Sequence, residues 1–174
     1  MRRILLSCAC VAVLTLSAAV SAGARGDAKS GFLVVRKAAA DGGVNGRPVV
    51  TVVVEGFVLG RVTQQALVDV YQLPSAAGGG TPQAAGSDVS HHAVRWHRFN
   101  GTEYSGSGFR FRATGGAYRV VVRGAGVYLF AGGHGSVTLR GSSVYPGSDG
   151  AYSIDGRRFR SLPPHPLTRA IGGG

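Results

Sequence analysis

The sequence predicts an all-β fold, an antiparallel β-sandwich or partly closed β-barrel built from hairpins, with about nine or ten strands. Three observations carry that reading. Residues 108–140, GFRFRATGGAYRVVVRGAGVYLFAGGHGSVTLR, alternate apolar and polar side chains with period two, the pattern of strands buried on one face. Glycine pairs and Asn-Gly or Asp-Gly dipeptides punctuate the alternation where reversals are expected; two-residue turns join antiparallel neighbours, whereas parallel strands need long crossovers. The apolar residues, 44% of the chain, gather in short β-branched runs, so the 29 glycines and 7 prolines read as turns and not as a disordered composition.

Residues 1–22 read as a secretory signal. Arg2 and Arg3 form a basic start, residues 4–20 are apolar, and Val20-Ser21-Ala22 offers small side chains for cleavage before Gly23. The apolar run is short for a retained span, which needs about 20 apolar residues. A retained N-terminal anchor is one alternative; a lipid-modified cysteine in Leu5-Leu6-Ser7-Cys8 is another. Both cysteines, Cys8 and Cys10, fall inside the signal, so a mature chain has no disulfide, thiol nucleophile or thiolate metal site. Cleavage leaves a chain of one-domain length with no transmembrane segment. It divides into a flexible leader over 23–30, one all-β domain over 31–165 and a flexible tail over 166–174.

Along the domain, 31–36 reads as a first strand, followed by a connection over 38–48 with Asp41-Gly42-Gly43 and Asn45-Gly46 turn signals. Residues 49–55, nearly continuous in valine, read as a central strand, with further strands at 57–63 and 66–73. The stretch 74–90, PSAAGGGTPQAAGSDVS, lacks apolar anchors and reads as a long loop. Residues 94–99 and 102–107 form a hairpin about Asn100-Gly101, which sets Arg98 against Glu103, Trp96 against Ser105 and His97 against Tyr104. A second hairpin, with Gly115-Gly116 as its turn, sets Phe111 against Val120, Phe109 against Val122 and Ala113 against Tyr118, all on one face. Its other face carries Arg112 opposite Arg119, Arg110 opposite Val121 and Arg123 opposite Gly108. Two arginines directly opposed repel by up to about 1 kcal/mol. Strands at 127–130 and 137–140 are joined through Gly132-Gly133-His134-Gly135, and a last hairpin, 151–154 with 157–160, turns at Asp155-Gly156 and sets Tyr152 against Phe159.

Charge is uneven. Residues 23–90 hold six basic and five acidic side chains, residues 91–174 eleven and three, so the positive field belongs to the C-terminal half and favours anionic partners. The five histidines carry no His-x-His or His-x3-His spacing, and His91 and His92, adjacent on a strand, point to opposite faces; no metal site or cofactor is expected. Among the carboxylates, only Glu55 and Asp69 lack a turn, pairing or loop role, which leaves them as the one candidate acid–base pair for a hydrolase. No serine sits in a Gly-x-Ser-x-Gly elbow, and the glycine runs lack the lysine and helix of a phosphate-binding loop. No catalytic constellation is therefore recognisable.

Arg110, Arg112, Arg119, Arg123 and Arg140 are the candidate binding residues, because planar guanidinium forks match carboxylate and phosphate groups and adjacent strands can align several of them. Tyr128 and Phe130 take the outward parity of the same meander and add stacking surfaces. In its GFRFR, GGAYRVVVRGAG and GSVTLRG phrases, over about residues 105–160, the chain resembles uncharacterised exported all-β proteins of high-GC bacteria. That resemblance implies a strand meander and brings no activity or catalytic residue. The expectation is an exported, non-enzymatic β-domain at the cell envelope that binds an anionic envelope glycan, a teichoic-type polymer or anionic lipid through the Arg face. Export disfavours nucleic acid as a partner. A self-associating structural module and an envelope hydrolase using Glu55 or Asp69 are the alternatives.

Overall fold

A computed structural model of the chain describes residues 30–38, 49–76, 78–141 and 149–173. The expected signal at 1–22 with both cysteines, the leader up to residue 29 and the connection at 39–48 lie outside the described residues. The fold is all-β. Eleven strands form one antiparallel sheet: β1 (Gly31–Ala38), β2 (Val49–Val62), β3 (Ala66–Leu73), β4 (Gln83–Ala85), β5 (Asp88–Trp96), β6 (Phe99–Ser107), β7 (Arg110–Gly124), β8 (Val127–Arg140), β9 (Ala151–Ile154), β10 (Arg160–Ser161) and β11 (Leu167–Ile171). The strand order is β10-β9-β1-β8-β2-β7-β3-β6-β5, with β11 paired to β8 and β4 paired to β7.

The sheet does not close into a barrel. One face of β1, β2, β3, β7 and β8 is buried: Leu33 and Val35; Val50, Val52, Val54, Val58 and Val62; Val68 and Val70; Val120 and Val122; Leu129, Val137 and Leu139. No helix occurs among the described residues to cover that face, so the sheet folds over its own apolar side in a sandwich-like manner.

A row of glycines marks where the long strands pass from one half to the other. Gly56 of β2 faces Gly116 of β7 on one side and Gly133 of β8 on the other, and Gly133 in turn faces Gly31 of β1. The approach is too close for side chains. A Cβ on Gly56 would run into the Gly132 carbonyl, one on Gly133 into the Glu55 carbonyl, and one on Gly116 into the Gly78 carbonyl. Neighbours change across the row: β8 pairs with β1 on one side of it and β11 on the other, and β7 with β4 and then β3. Three long central strands, β8, β2 and β7, thus serve both regions.

Several expected reversals turn out to be through-strands. Gly115-Gly116 is not a turn. β7 runs through it, with Thr114 facing Phe57 and Gly116 facing Gly56, so Gly115 (φ 75°) is the extra residue of a bulge. A bulge and a two-residue hairpin both invert side-chain parity, and period-two alternation cannot tell them apart. The expected faces therefore hold, with Phe109, Phe111, Ala113, Tyr118, Val120 and Val122 all buried. The expected cross-strand pairs do not: Arg112 faces Leu59 and Gln83, Arg119 faces Val53 and Tyr71, and Arg123 faces Val49 and Leu67. Likewise 49–55 and 57–63 merge into β2, and β8 passes without a break through Gly132-Gly133-His134-Gly135.

The hairpin of β5 and β6 turns at His97-Arg98, with His97 at φ 52°, and pairs Trp96 with Phe99 and His92 with Glu103. The expected turn at Asn100-Gly101 is displaced by three residues. Such a slide keeps every side chain on the same face, so the alternation allows both registers. Gly101 is needed inside β6, where a Cβ would lie 2.5 Å from the Tyr71 ring. The Asp155-Gly156 turn is where it was expected, with φ of 53° and 72°. Its register is one residue off, since Arg160 and not Phe159 faces Tyr152.

Two expected mobile segments are ordered. Within 74–90, β4 pairs with β7, and core tyrosines hold the backbone: the Tyr104 hydroxyl donates to the Pro82 carbonyl (2.9 Å), and the Tyr118 hydroxyl lies 2.8 Å from the Gly80 carbonyl and 2.6 Å from that of Thr114. The tail expected at 166–174 contributes β11, whose Ile171 is fully buried.

Candidate functional site

The outward face of the sheet carries the candidate residues, and the glycine row divides it. On the side of β1 and β4, registers of β7, β2 and β8 place side chains in cross-strand rows. Arg110 faces Arg61, and Arg61 faces Tyr128. In the next row Arg112 faces Leu59, which faces Phe130, which faces Val34 of β1. Nearest the glycine row, Thr114 faces Phe57, which faces Gly132, which faces Phe32. Gly132 supplies space beneath the Phe57 ring, since a Cβ there would lie 2.6 Å from it. The rings touch: Phe57 and Phe130 lie 5.3 Å apart between centroids, Phe32 and Phe130 6.3 Å.

Arginines edge this apolar area. Arg36 lines the same shallow groove as Arg61, Tyr128 and Phe130, and its guanidinium sits 4.2 Å over the Phe159 ring. A neighbouring groove runs between Leu59, Arg110, Arg112 and β4. Arg112 is held upright by Gln83, whose Oε1 accepts from Nε (3.0 Å) and from one terminal nitrogen (2.6 Å). Neither Arg61 nor Arg110 makes an ion pair among the described residues.

In the other half of the face, Arg123 has a carboxylate partner and Arg119 lies against aromatic rings. Arg123 donates to Asp69 at 2.8 Å, and Asp69 is only 3% exposed. Asp69 faces Glu103 across β3 and β6, and Glu103 faces His92, whose Nε2 lies 2.9 Å from the Glu103 carboxylate. Burial, and then the neighbouring Asp69 carboxylate, raise the Glu103 carboxyl above its ordinary pKa. Arg119 stacks 4.2 Å over Trp96 and 5.6 Å from the Tyr71 ring, and burial lowers its pKa.

Of the expected binding residues, Arg110, Arg112, Tyr128 and Phe130 therefore come together. Arg119 and Arg123 are occupied by rings and a carboxylate, and Arg140, opposite Val49 at the far end of β8, stands apart. Arg36, Arg61, Phe32, Phe57 and Leu59 were missed. Outward parity in 31–36 and 57–63 was the available signal, but without the pairing of β2 between β7 and β8 nothing joined them to the others. Glu55 and Asp69 do not form a pair: Glu55, level with Ala117, accepts from the Ser75 hydroxyl (2.9 Å), whereas Asp69 is level with Val121. Asp69 meets Glu103 instead, and its burial closes it to a substrate. Among the described residues no three His, Cys, Asp or Glu side chains gather as metal ligands, and no helix is long and apolar enough to cross a membrane. No protein-family model, curated protein or solved structure matches the chain.

Proposed function

We propose that this chain is an exported, non-enzymatic β-domain that binds an anionic component of the cell envelope through the half of its sheet face bearing Arg36, Arg61, Arg110 and Arg112. The observation that carries the reading is the direct opposition of Arg61 and Arg110 across β2 and β7, with no ion pair to either among the described residues. Like charges placed opposite each other destabilise a sheet by up to about 1 kcal/mol, and an anion bridging the two guanidinium forks removes that repulsion. Export is inferred from the basic start at Arg2 and Arg3, the apolar run over 4–20 and the small residues ending at Ala22.

Retention on a heparin column tests the proposal. The wild type is expected to elute at a higher salt concentration than an Arg61→Ser/Arg110→Ser variant, because salt screens guanidinium–anion attraction. The single change Arg110→Ser is expected to raise unfolding stability by about 0.5 kcal/mol in the absence of an anion, as the repulsion disappears. Equal retention of the wild type and the double variant would refute the reading.

A further inference from the structure

We infer that the anionic partner is a lipid surface, with Phe32, Leu59, Tyr128 and Phe130 entering the headgroup region while Arg36, Arg61, Arg110 and Arg112 hold lipid phosphates; this rests on the function proposed above. Among the described residues five large apolar side chains are exposed, Phe32, Leu59, Tyr128 and Phe130 at 40% each and Phe159 at 38%. All five lie in this one region. The first four sit on the adjacent strands β1, β8 and β2, and Phe159 reaches it beneath Arg36. Their clustering is selective, because single exposed apolar residues are scattered on ordinary surfaces, whereas a contiguous apolar patch rimmed by polar groups marks an interaction site.

The chemistry of the patch separates the possible anions. A soluble polyanion needs guanidinium groups and offers nothing to Phe32, Leu59 or Phe130. A neutral sugar stacks on rings and has no use for four arginines. A membrane surface supplies both partners at once, phosphates at one depth and the acyl boundary just beneath, within reach of side chains that share one sheet face. Arginine is suited to this because its stem lies along apolar surface while its fork turns to phosphate. The strands β1, β8, β2 and β7 are consecutive in the sheet and, at about 4.8 Å spacing, present a face roughly 15 Å across. That spans several headgroups.

Vesicles report on the patch directly when it carries a fluorophore. Trp96, the chain's single tryptophan, lies in the opposite half beside Arg119. In a Phe130→Trp variant, vesicles of phosphatidylcholine and phosphatidylglycerol with brominated acyl chains are expected to quench the added fluorescence at least twofold, while the wild type's Trp96 signal stays unchanged. A Phe32→Ser/Leu59→Ser variant, its folding checked by thermal unfolding, should bind the same vesicles at least tenfold more weakly and keep its heparin retention. Arg61→Ser/Arg110→Ser should lose both. Salt-dependent heparin retention without quenching of the Phe130→Trp variant overturns the lipid assignment and leaves the anion-binding function standing. Equal quenching by pure phosphatidylcholine vesicles also overturns the assignment to an anionic lipid. Loss of neither activity in Arg61→Ser/Arg110→Ser overturns the function itself.

Discussion

β7 carries arginine on both sides of the glycine row, and the two halves use it in opposite ways. Toward β5, Arg119 lies against Trp96 and Tyr71, and Arg123 against Asp69. Toward β1, Arg110 is set opposite another arginine and beside exposed rings. Residue type and sheet face are the same in both halves. The strands that flank β7 make the difference: β3, with β6 and β5 beyond it, brings carboxylates and an indole, whereas β2 and β8 bring Arg61, Leu59, Tyr128 and Phe130 to the other end. An arginine on a sheet face is therefore a binding candidate only once its cross-strand neighbours are known, since a paired guanidinium already has an internal partner.

The contrast depends on the glycine row, so the largest effect is expected there. Gly56→Ala places a methyl group against the Gly132 carbonyl at a backbone φ of 151°. It should destabilise the protein by about 3 kcal/mol or more, measured by urea unfolding, because the obstacle is backbone and cannot rotate away. A near-wild-type midpoint would mean that the two halves do not need this close approach.

Trp96→Ala should make the closed half resemble the open one. Loss of a partly buried indole that contacts Tyr71, Phe99 and Arg119 is expected to cost about 2 kcal/mol. The released Arg119 should raise the salt concentration needed for elution from heparin. Unchanged elution would show that ring stacking is not what withholds Arg119 from anions.

The smallest effect concerns Glu103. Its folded-state pKa is raised above the ordinary 4.5 by burial and by Asp69, so between 4.5 and the raised value the folded chain binds more of this proton than the unfolded chain does. The associated stability is fully present below pH 4.5 and is lost as pH rises through the raised value. Glu103→Gln removes the titration while keeping a donor for Asp69. Relative to wild type, the melting temperature of the variant should therefore rise as pH increases from 4 to 7. A difference that is independent of pH would show that burial beside Asp69 does not raise the Glu103 pKa.

How much was legible follows from what alternation encodes. The inward sets, Phe109, Phe111 and Ala113 and then Tyr118, Val120 and Val122, were readable because period two assigns faces directly. β3 was readable to the residue, and so was the Asp155-Gly156 turn, whose two positive φ angles suit those residues. The turn expected at Gly115-Gly116 is a bulge within β7, which inverts parity as a hairpin does. The order in 74–90 came from the hydroxyls of Tyr104 and Tyr118, which are distant in sequence and act on carbonyls that look unanchored locally. The same holds for Ile171, an apolar residue beside terminal glycines that only β8 makes part of the core.

In the candidate site, Arg110, Arg112, Tyr128 and Phe130 were legible one by one as outward residues of a basic meander. Their separation from Arg119 and Arg123 was not, nor was the membership of Arg36, Arg61, Phe32, Phe57 and Leu59. By itself the sequence determined the all-β class and which side chains face outward, because the pleat is a local property of the backbone and repeats every two residues. Only the tertiary structure decided which arginines meet carboxylates and which meet one another. Cross-strand neighbours come from segments a hundred residues or more away in the chain, and the glycine row brings them together by closeness of approach, which alternation does not record.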